Sequence, residues 1–356
     1  MKHASRDLVA SPRDGALAAG ARVRSREPSP RRSPLSMSHD DARPSAAATL
    51  PATSHPRLHA LLRGAETVWS EREDLRALYG SITNPEYWAW LRWHAHAEYP
   101  ELAAADFPWP PMHLVERVGG DSTGQTVFRE GGIVDWRRMV AVLQAAGFKF
   151  EGASVLDFGC GCGRILRHFA RYGAGGRFMG VDVDPTPIAW CRENLDFAEF
   201  ASIPLLPPTA LPRGGFDALY TYSVFSHLPL ESQRAWLAEF ARLLRPGGLA
   251  VITYHGERAV ERWLAGETPS DAPSPEQLRA NLPRLEAEGI LFFAFGELGT
   301  PHQENVQHWE RLDRALYGNV FLTRAFIARE WLQHFALVAH YPSPDDWQDY
   351  VVLRRR

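Results

Sequence analysis

The sequence predicts an α/β fold in which a doubly wound, mostly parallel sheet carries helices on both faces. From about residue 150 onward, short apolar strands alternate with helices across short connections, and such βαβαβ alternation buries a parallel sheet between helical layers. One of those connections, Val155-Leu-Asp-Phe-Gly-Cys-Gly-Cys-Gly-Arg164, places three glycines at alternate positions between a strand and the segment after it. Hydrophobic residues make up 45% and charged residues 23% of 356 residues, an ordinary globular mix with ample apolar material for a core.

The elements follow in chain order. Residues 1–55 are rich in Arg, Ser, Pro and Ala, with no aromatic residue and no hydrophobic period, so a dispensable disordered tail is expected. Met37 is an alternative translation start, which puts residues 1–36 in question. Arg31-Arg32 is a twin-arginine pair, but no apolar stretch follows it, so it does not read as an export signal. Residues 56–145 are expected to form a helical cap or lid. Asn84-Pro85-Glu86 has a capping side chain, Pro at the first helical position and an acid near the positive end of a helix. Tyr87, Trp88, Trp90, Trp93 and Tyr99 after it read as packing against a neighbouring layer. His94 and His96 lie two apart on that helix, so they do not face one another as joint metal ligands. Phe107-Pro-Trp-Pro-Pro111 must be extended and stiff, and Gly119-Gly120 and Gly131-Gly132 bracket a polar loop that serves as a lid or a connector.

Residues 146–356 form the expected main domain. Ser154–Phe158 reads as a strand, Arg164–Tyr172 as a helix stopped by Gly173, and Arg177–Asp182 as the second strand. Asp184-Pro185 caps a helix to about Leu195. Phe216–Val224 is a strand, Leu230–Leu244 a helix, Arg245-Pro-Gly-Gly248 a turn and Leu249–Tyr254 a strand. Residues 256–323 interrupt the alternation with helices and a Gly-rich section and read as an insertion. A helix near Arg324–Phe335 and strands Ala336–Tyr341 and Gln348–Arg354 close the chain.

Composition limits the partners. The 39 basic and 42 acidic side chains leave a net charge of −3, and nothing basic and contiguous marks a nucleic-acid face. Three cysteines rule out a disulfide scaffold and fit a reducing, cytoplasmic setting. No stretch approaches the ~18 consecutive apolar residues of a membrane span, so no membrane partner is expected. Cys160 and Cys162 cannot fill a tetrahedral metal site without further Cys or clustered His, so they read as small filler in a tight loop, and no metal is expected.

The glycine loop points to a small-molecule ligand at the carboxyl ends of the strands. Its spacing is not the G-x-G-x-x-G of a dinucleotide fingerprint, because position 164 is Arg164, and it lacks the lysine of a phosphate-binding loop. Asp157, two residues before the first glycine, would repel a phosphate and suits a cation. Asp182, at the end of the second strand, is placed to accept hydrogen bonds from ribose hydroxyls. The ligand thus has a positive end, a ribose and no required pyrophosphate, conditions that S-adenosylmethionine meets.

Five segments in order carry a resemblance: Asp157-x-Gly-x-Gly-x-Gly163, Gly180-Val-Asp182, Phe216-Asp217, Ser223-Val-Phe-Ser-His-Leu228 and Leu244-Arg-Pro-Gly-Gly248. Residues from about 150 to 256, and less closely the last 35, resemble the class I S-adenosylmethionine-dependent methyltransferases, whose fold is Rossmann-like. The closing Trp331…Gln348-Asp-Tyr-Val-Val-Leu353 resembles a bacterial subgroup associated with glycan or secondary-metabolite pathways. The resemblance implies that Asp157, Gly159, Gly161 and Gly163 hold the methionine part, that Asp182 holds the ribose, and that Tyr222 and Ser223 border the methyl group. It also implies an acid after the third strand for adenine. This sequence has Phe200-Ala-Ser-Ile-Pro-Leu-Leu-Pro-Pro208 there, where Ser202 or a backbone N–H would substitute.

Methyl transfer to oxygen or nitrogen of a small-molecule acceptor, such as a sugar or secondary metabolite, usually needs a base titrating near neutrality. His255, at the end of the fifth strand in Thr253-Tyr-His-Gly256, and His227, after the fourth, are the candidates, with His255 the stronger. His302 and His308 lie in the insertion. The rival readings are a cofactor-binding subunit without turnover and an NAD-dependent oxidoreductase.

Overall fold

The computed structural model describes residues 107–119, 128, 131–171, 176–267, 273–295, 316–342 and 347–356. The expected tail, residues 56–106 of the expected cap with the aromatic segment Tyr87–Tyr99, the polar loop apart from Phe128, Gly173, His302 and His308 lie outside these residues.

Strands β1 (Ser154–Phe158), β2 (Arg177–Asp182), β3 (Glu199–Ser202), β4 (Phe216–Thr221), β5 (Leu244–Tyr254), β8 (Phe335–Tyr341) and β9 (Asp349–Arg355) form one sheet in the order β3-β2-β1-β4-β5-β9-β8. The first five run parallel, and β9 runs antiparallel to both β5 and β8. The order turns back on itself between β1 and β4, the place where an open α/β sheet leaves a crevice for ligands.

Alternation along each strand divides the core in two. Val155 of β1, Tyr220 of β4 and Val251 of β5 face helix α2 (Gly132–Ala145), where Trp136, Met139 and Val140 are fully buried. Leu156, Leu219 and Ile252, one residue out of phase, face helix α4 (Leu230–Leu243) with Trp236 and Phe240. Phe158 sets its ring 4.6 Å from Trp236 and 4.8 Å from Phe240, both edge-on, which adds to the burial term. Helix α3 (Pro185–Asn194) starts as expected: the Asp184 side chain accepts from Thr186 N at 2.9 Å and Pro185 opens the first turn.

Four differences from the expected elements have identifiable causes. Helix α2, in the stretch expected as the cap, packs into the core on one face of the sheet. No regular helix follows the glycine loop. Leu166–Arg171 is a 3-10 helix, and the arginines beside it turn inward: Arg164 to Asp135, and Arg167 to the carbonyls of Phe107 and Pro108. The Arg167 guanidinium also lies 4.1 Å from the Trp109 ring centroid, which fastens the stiff Pro-rich segment to the domain.

The expected turn Arg245–Gly248 is a bulge inside β5. Phe216 pairs with Leu244 and Ala218 with Leu249, so four residues stand opposite Asp217 alone. Arg245 pairs with the Asp217 carboxylate there. The insertion has its own order. Helices α5 (Glu257–Leu264) and α6 (Pro275–Glu288) pack on a two-stranded antiparallel sheet of β6 (Ile290–Ala294) and β7 (Gly318–Leu322), around Trp263, Leu278 and Phe321. Its strand pair was missed because its two halves stand more than twenty residues apart with no turn signal joining them. Helix α7 (Arg324–Glu330) then leads into β8.

Among the described residues no helix is long and apolar enough to cross a membrane. All three cysteines are buried free thiols, and burial raises each one above its ordinary range, Cys162 to about 12.

Asp135, buried in α2, holds Arg164 at 2.6 Å and Arg138 at 3.6 Å. Its loss takes this carboxylate away from two buried guanidinium groups. Asp135→Ala should therefore cost about 3–5 kcal/mol in urea unfolding, and a loss below about 1 kcal/mol would contradict this account of the pair.

Candidate active site

The site forms where β1, β2, β4 and β5 end. After Phe158 the chain reverses through Gly159 and Gly161, whose φ angles of 79° and 52° lie in the left-handed region that side chains disfavour. At Gly159 a Cβ would also meet Val224 Cγ2 at 2.4 Å, so only glycine lets the segment after β4 close on the loop. The loop is fastened to β2 through its own amides. Gly159 N and Cys160 N donate to Val181 O at 2.8 and 3.0 Å, and Gly161 N donates to Asp182 Oδ2 at 2.8 Å. Gly163 N turns back to Cys160 O at 2.9 Å. The loop therefore offers open backbone and shape, while these N–H groups are engaged within the fold.

Asp157 and Asp182 are the two carboxylates of the site. Asp157 is 3% exposed, and burial pushes its carboxyl up to about 7; the neighbouring Tyr220 hydroxyl and Arg164 guanidinium pull it down, and the Asp182 charge pushes it up. Asp182 is also raised by burial, against the pull of backbone N–H groups from Asp184 and Gly161. Its Oδ1 accepts from Asp184 N at 2.9 Å and Oδ2 from Gly161 N. Each carboxylate oxygen keeps a further acceptor position for hydroxyl donors. A cation beside Asp157 would restore its ionised form, so the donor set suits the positively charged ligand expected from the sequence. Ser202, at the end of the edge strand β3, is exposed.

The expected residues after β4 gather beside this loop. Tyr222 lies under the Arg164 guanidinium at 5.1 Å. Ser223 has φ 57°, the single non-glycine residue in that region among those described. Its N–H donates to Thr253 Oγ1 at 2.8 Å, and its Oγ accepts from Gln348 Nε2 at 2.7 Å. Four residues on, His227 places Nε2 3.4 Å from Ser223 Oγ and Nδ1 2.9 Å from Gly318 O. A carbonyl only accepts, so Nδ1 carries the proton and Nε2 the lone pair of the neutral ring. Tyr317 stacks on this ring at 5.0 Å.

His255 takes a different position from the one its strand-end location suggested. It is 5% exposed, among Trp263 at 5.4 Å, Phe321 at 5.7 Å and His227 at 5.8 Å. Burial, helped by the nearby His227, lowers it to about 3, and its Nδ1 has no hydrogen-bond partner among the described residues. A ring this reluctant to take a proton makes a poor base at neutral pH. The site residues that sequence reasoning missed are Thr253 and Gln348; the latter stood in a motif already singled out, but its partner lies 125 positions away in sequence.

Because Asp157 holds its proton to about pH 7 in the folded chain and releases it near 3.8 when unfolded, its contribution to stability is complete below about pH 4 and lost as pH rises to about 7. The swing is at most about 4 kcal/mol. Urea unfolding of the unliganded protein and of Asp157→Asn across that window should diverge in this sense; parallel curves would contradict the assignment.

Parts of the chain are similar to known proteins. Residues 155–248 match the family described as a methyltransferase domain. The rRNA N(6)-adenosine-methyltransferase of Caenorhabditis elegans is 32% identical over 117 residues, 30% of this chain and 53% of that protein. The ubiquinone biosynthesis O-methyltransferase of Rhodopseudomonas palustris is 28% identical over 163 residues, 40% of this chain and 63% of that protein. The chain thus spans about half the length of the curated relatives it matches. Among solved structures, the 1,6-didemethyltoxoflavin-N1-methyltransferase of Burkholderia thailandensis aligns with a TM-score of 0.40 at 20% identity, covering 70% of this chain and 92% of that one. The matched segment, residues 155–248, holds the glycine loop, Asp182 and the bulge before β5, and is similar to a methyltransferase domain.

Proposed function

We propose that the chain transfers a methyl group from S-adenosylmethionine to an oxygen or nitrogen of a small-molecule acceptor, a sugar or secondary metabolite being the class intended, with His227 as the base. The observation that carries this reading is the His227 ring: Nδ1–H is committed to Gly318 O, which turns the Nε2 lone pair toward the segment that borders the glycine loop. The cofactor supplies a methyl group on a cationic sulfur. Asp157 and the loop of Gly159, Gly161 and Gly163 would hold its methionine part, Asp182 its ribose hydroxyls, and Tyr222 and Ser223 would border the methyl group.

Methyl transfer is an in-line displacement, so much of its rate comes from alignment and exclusion of water. The rings of Tyr317, Phe295 and His255 around His227 support a water-poor setting for the acceptor. His227 Nε2 takes the acceptor's proton as the new bond forms. Residues 256–323, which bring Gly318 and Tyr317 to His227, would then shape the acceptor pocket. The cytoplasm is the proposed setting, and the oligomeric state plays no part in the reading.

Turnover of an acceptor panel with radiolabelled S-adenosylmethionine tests the proposal. His227→Ala should lower turnover by about 10²–10⁴-fold, while affinity for S-adenosylhomocysteine holds; unchanged turnover would remove His227 from the chemistry. Retained cofactor binding with no turnover on any acceptor would favour the cofactor-binding subunit instead. Affinity for S-adenosylmethionine should also rise about tenfold from pH 6 to pH 8 as Asp157 ionises, and the rise should vanish in Asp157→Asn. A flat wild-type profile would separate Asp157 from cofactor binding.

A further inference from the structure

Gln348 joins the site from far along the chain, 125 positions after Ser223. It precedes β9, the strand inserted antiparallel between β5 and β8, and it is 5% exposed. Its Oε1 accepts from Thr253 Oγ1 at 2.5 Å, and its Nε2 donates to Ser223 Oγ at 2.7 Å and to Ser226 Oγ at 3.3 Å. In this orientation Thr253 Oγ1 accepts from Ser223 N and gives its own proton to the amide oxygen, while the amide nitrogen faces the serines.

The consequence falls on Ser223. Its Oγ receives a proton from Gln348, which leaves its own proton to be donated elsewhere, and His227 Nε2 stands 3.4 Å away with its lone pair. The hydrogen bonds therefore run in one direction, from Thr253 through Gln348 and Ser223 to His227 and on to Gly318 O. An O···N separation of 3.4 Å is longer than a settled O–H···N bond, so an acceptor hydroxyl can take this place on the ring. Once Nε2 has taken a proton, the ring donates from both nitrogens, and a serine oxygen with two acceptor positions can receive it beside Gln348. The backbone at Ser223, held at φ 57°, keeps the hydroxyl within reach of both partners.

We propose that Gln348 and Ser223 are positioning residues for His227, with Gln348 setting the direction of the Ser223 hydroxyl so that it donates to the neutral ring and accepts from the protonated one. The proposal rests on His227 as the base of the reaction, yet its geometry can be read without any acceptor. Among the described residues, the titratable rings facing His227 from the neighbouring elements are His255 at the end of β5 and Tyr317 before β7.

The test is nitrogen NMR of the full chain labelled at histidine, following the His227 tautomer and its titration. In the wild type the neutral ring should carry its proton on Nδ1. Ser223→Gly removes the hydroxyl and suits the positive φ, so folding is not endangered, and the His227 midpoint should fall by about one pH unit as the imidazolium loses an acceptor. Gln348→Met should lower it by less. Because Gln348 acts through Ser223, the double variant should fall no further than Ser223→Gly alone. An unchanged midpoint in Ser223→Gly, or drops that add in full, would overturn the proposal. If His227→Ala leaves turnover intact while these shifts appear, the base assignment fails and the positioning device stands as a property of the ring alone.

Discussion

The site depends on the glycine loop being fastened to β2. Gly161 N on Asp182 and the paired amides of Gly159 and Cys160 on Val181 O hold a backbone that no side chain could follow through its left-handed turns. This tie fixes Asp182 at the loop's edge and leaves room for Val224, which brings Tyr222, Ser223 and His227 to the same end of the sheet. The same tie buries Asp157 and Asp182 close together, and both carboxyls are raised by burial in consequence. A site holding two reluctant carboxylates in apolar surroundings is electrostatically prepared for a cation.

A second layer holds this end of the sheet from outside the parallel strands. β9 brings Gln348 to Thr253 and Ser223, while the next residue, Asp349, lies 3.6 Å from His340, which itself hydrogen-bonds Tyr254 at 2.8 Å. The insertion contributes Gly318 O to His227 and Leu322 N to His255 O. The two elements least like the repeating strand–helix pattern are thus the ones that orient the histidines. On the far side, Asp135 of α2 holds Arg164 over Tyr222 and couples the buried helix to the loop.

Much of this was legible in the sequence for reasons that are local. The strands β1, β2 and β4 announce themselves by apolar runs, Asp184-Pro185 by its cap, and the loop by glycines at alternate positions. What stayed hidden depends on contacts between distant residues. The sequence of α2 is amphipathic enough for a lid or a layer, and only the tertiary burial of Trp136 and Met139 decides. Arg245–Gly248 reads as a turn because Pro and Gly punctuate it, yet pairing with β4 on either side absorbs it as a bulge. His255 stands at a strand end, where side chains usually meet solvent, but β7 and Trp263 cover it. The role of Gln348 could not be inferred from spacing, since it arises when an antiparallel strand is added next to β5.

The central claim is that this loop and Asp182 form an S-adenosylmethionine site. Calorimetric titration with S-adenosylhomocysteine and with NAD, on the wild type and on Asp182→Ala, tests it most directly. The account predicts saturable one-site binding of S-adenosylhomocysteine, at least about tenfold weaker in the variant through loss of the ribose acceptor and the Gly161 tie, and no binding of NAD. Binding of NAD in its place, or equal affinity in wild type and variant, would contradict it.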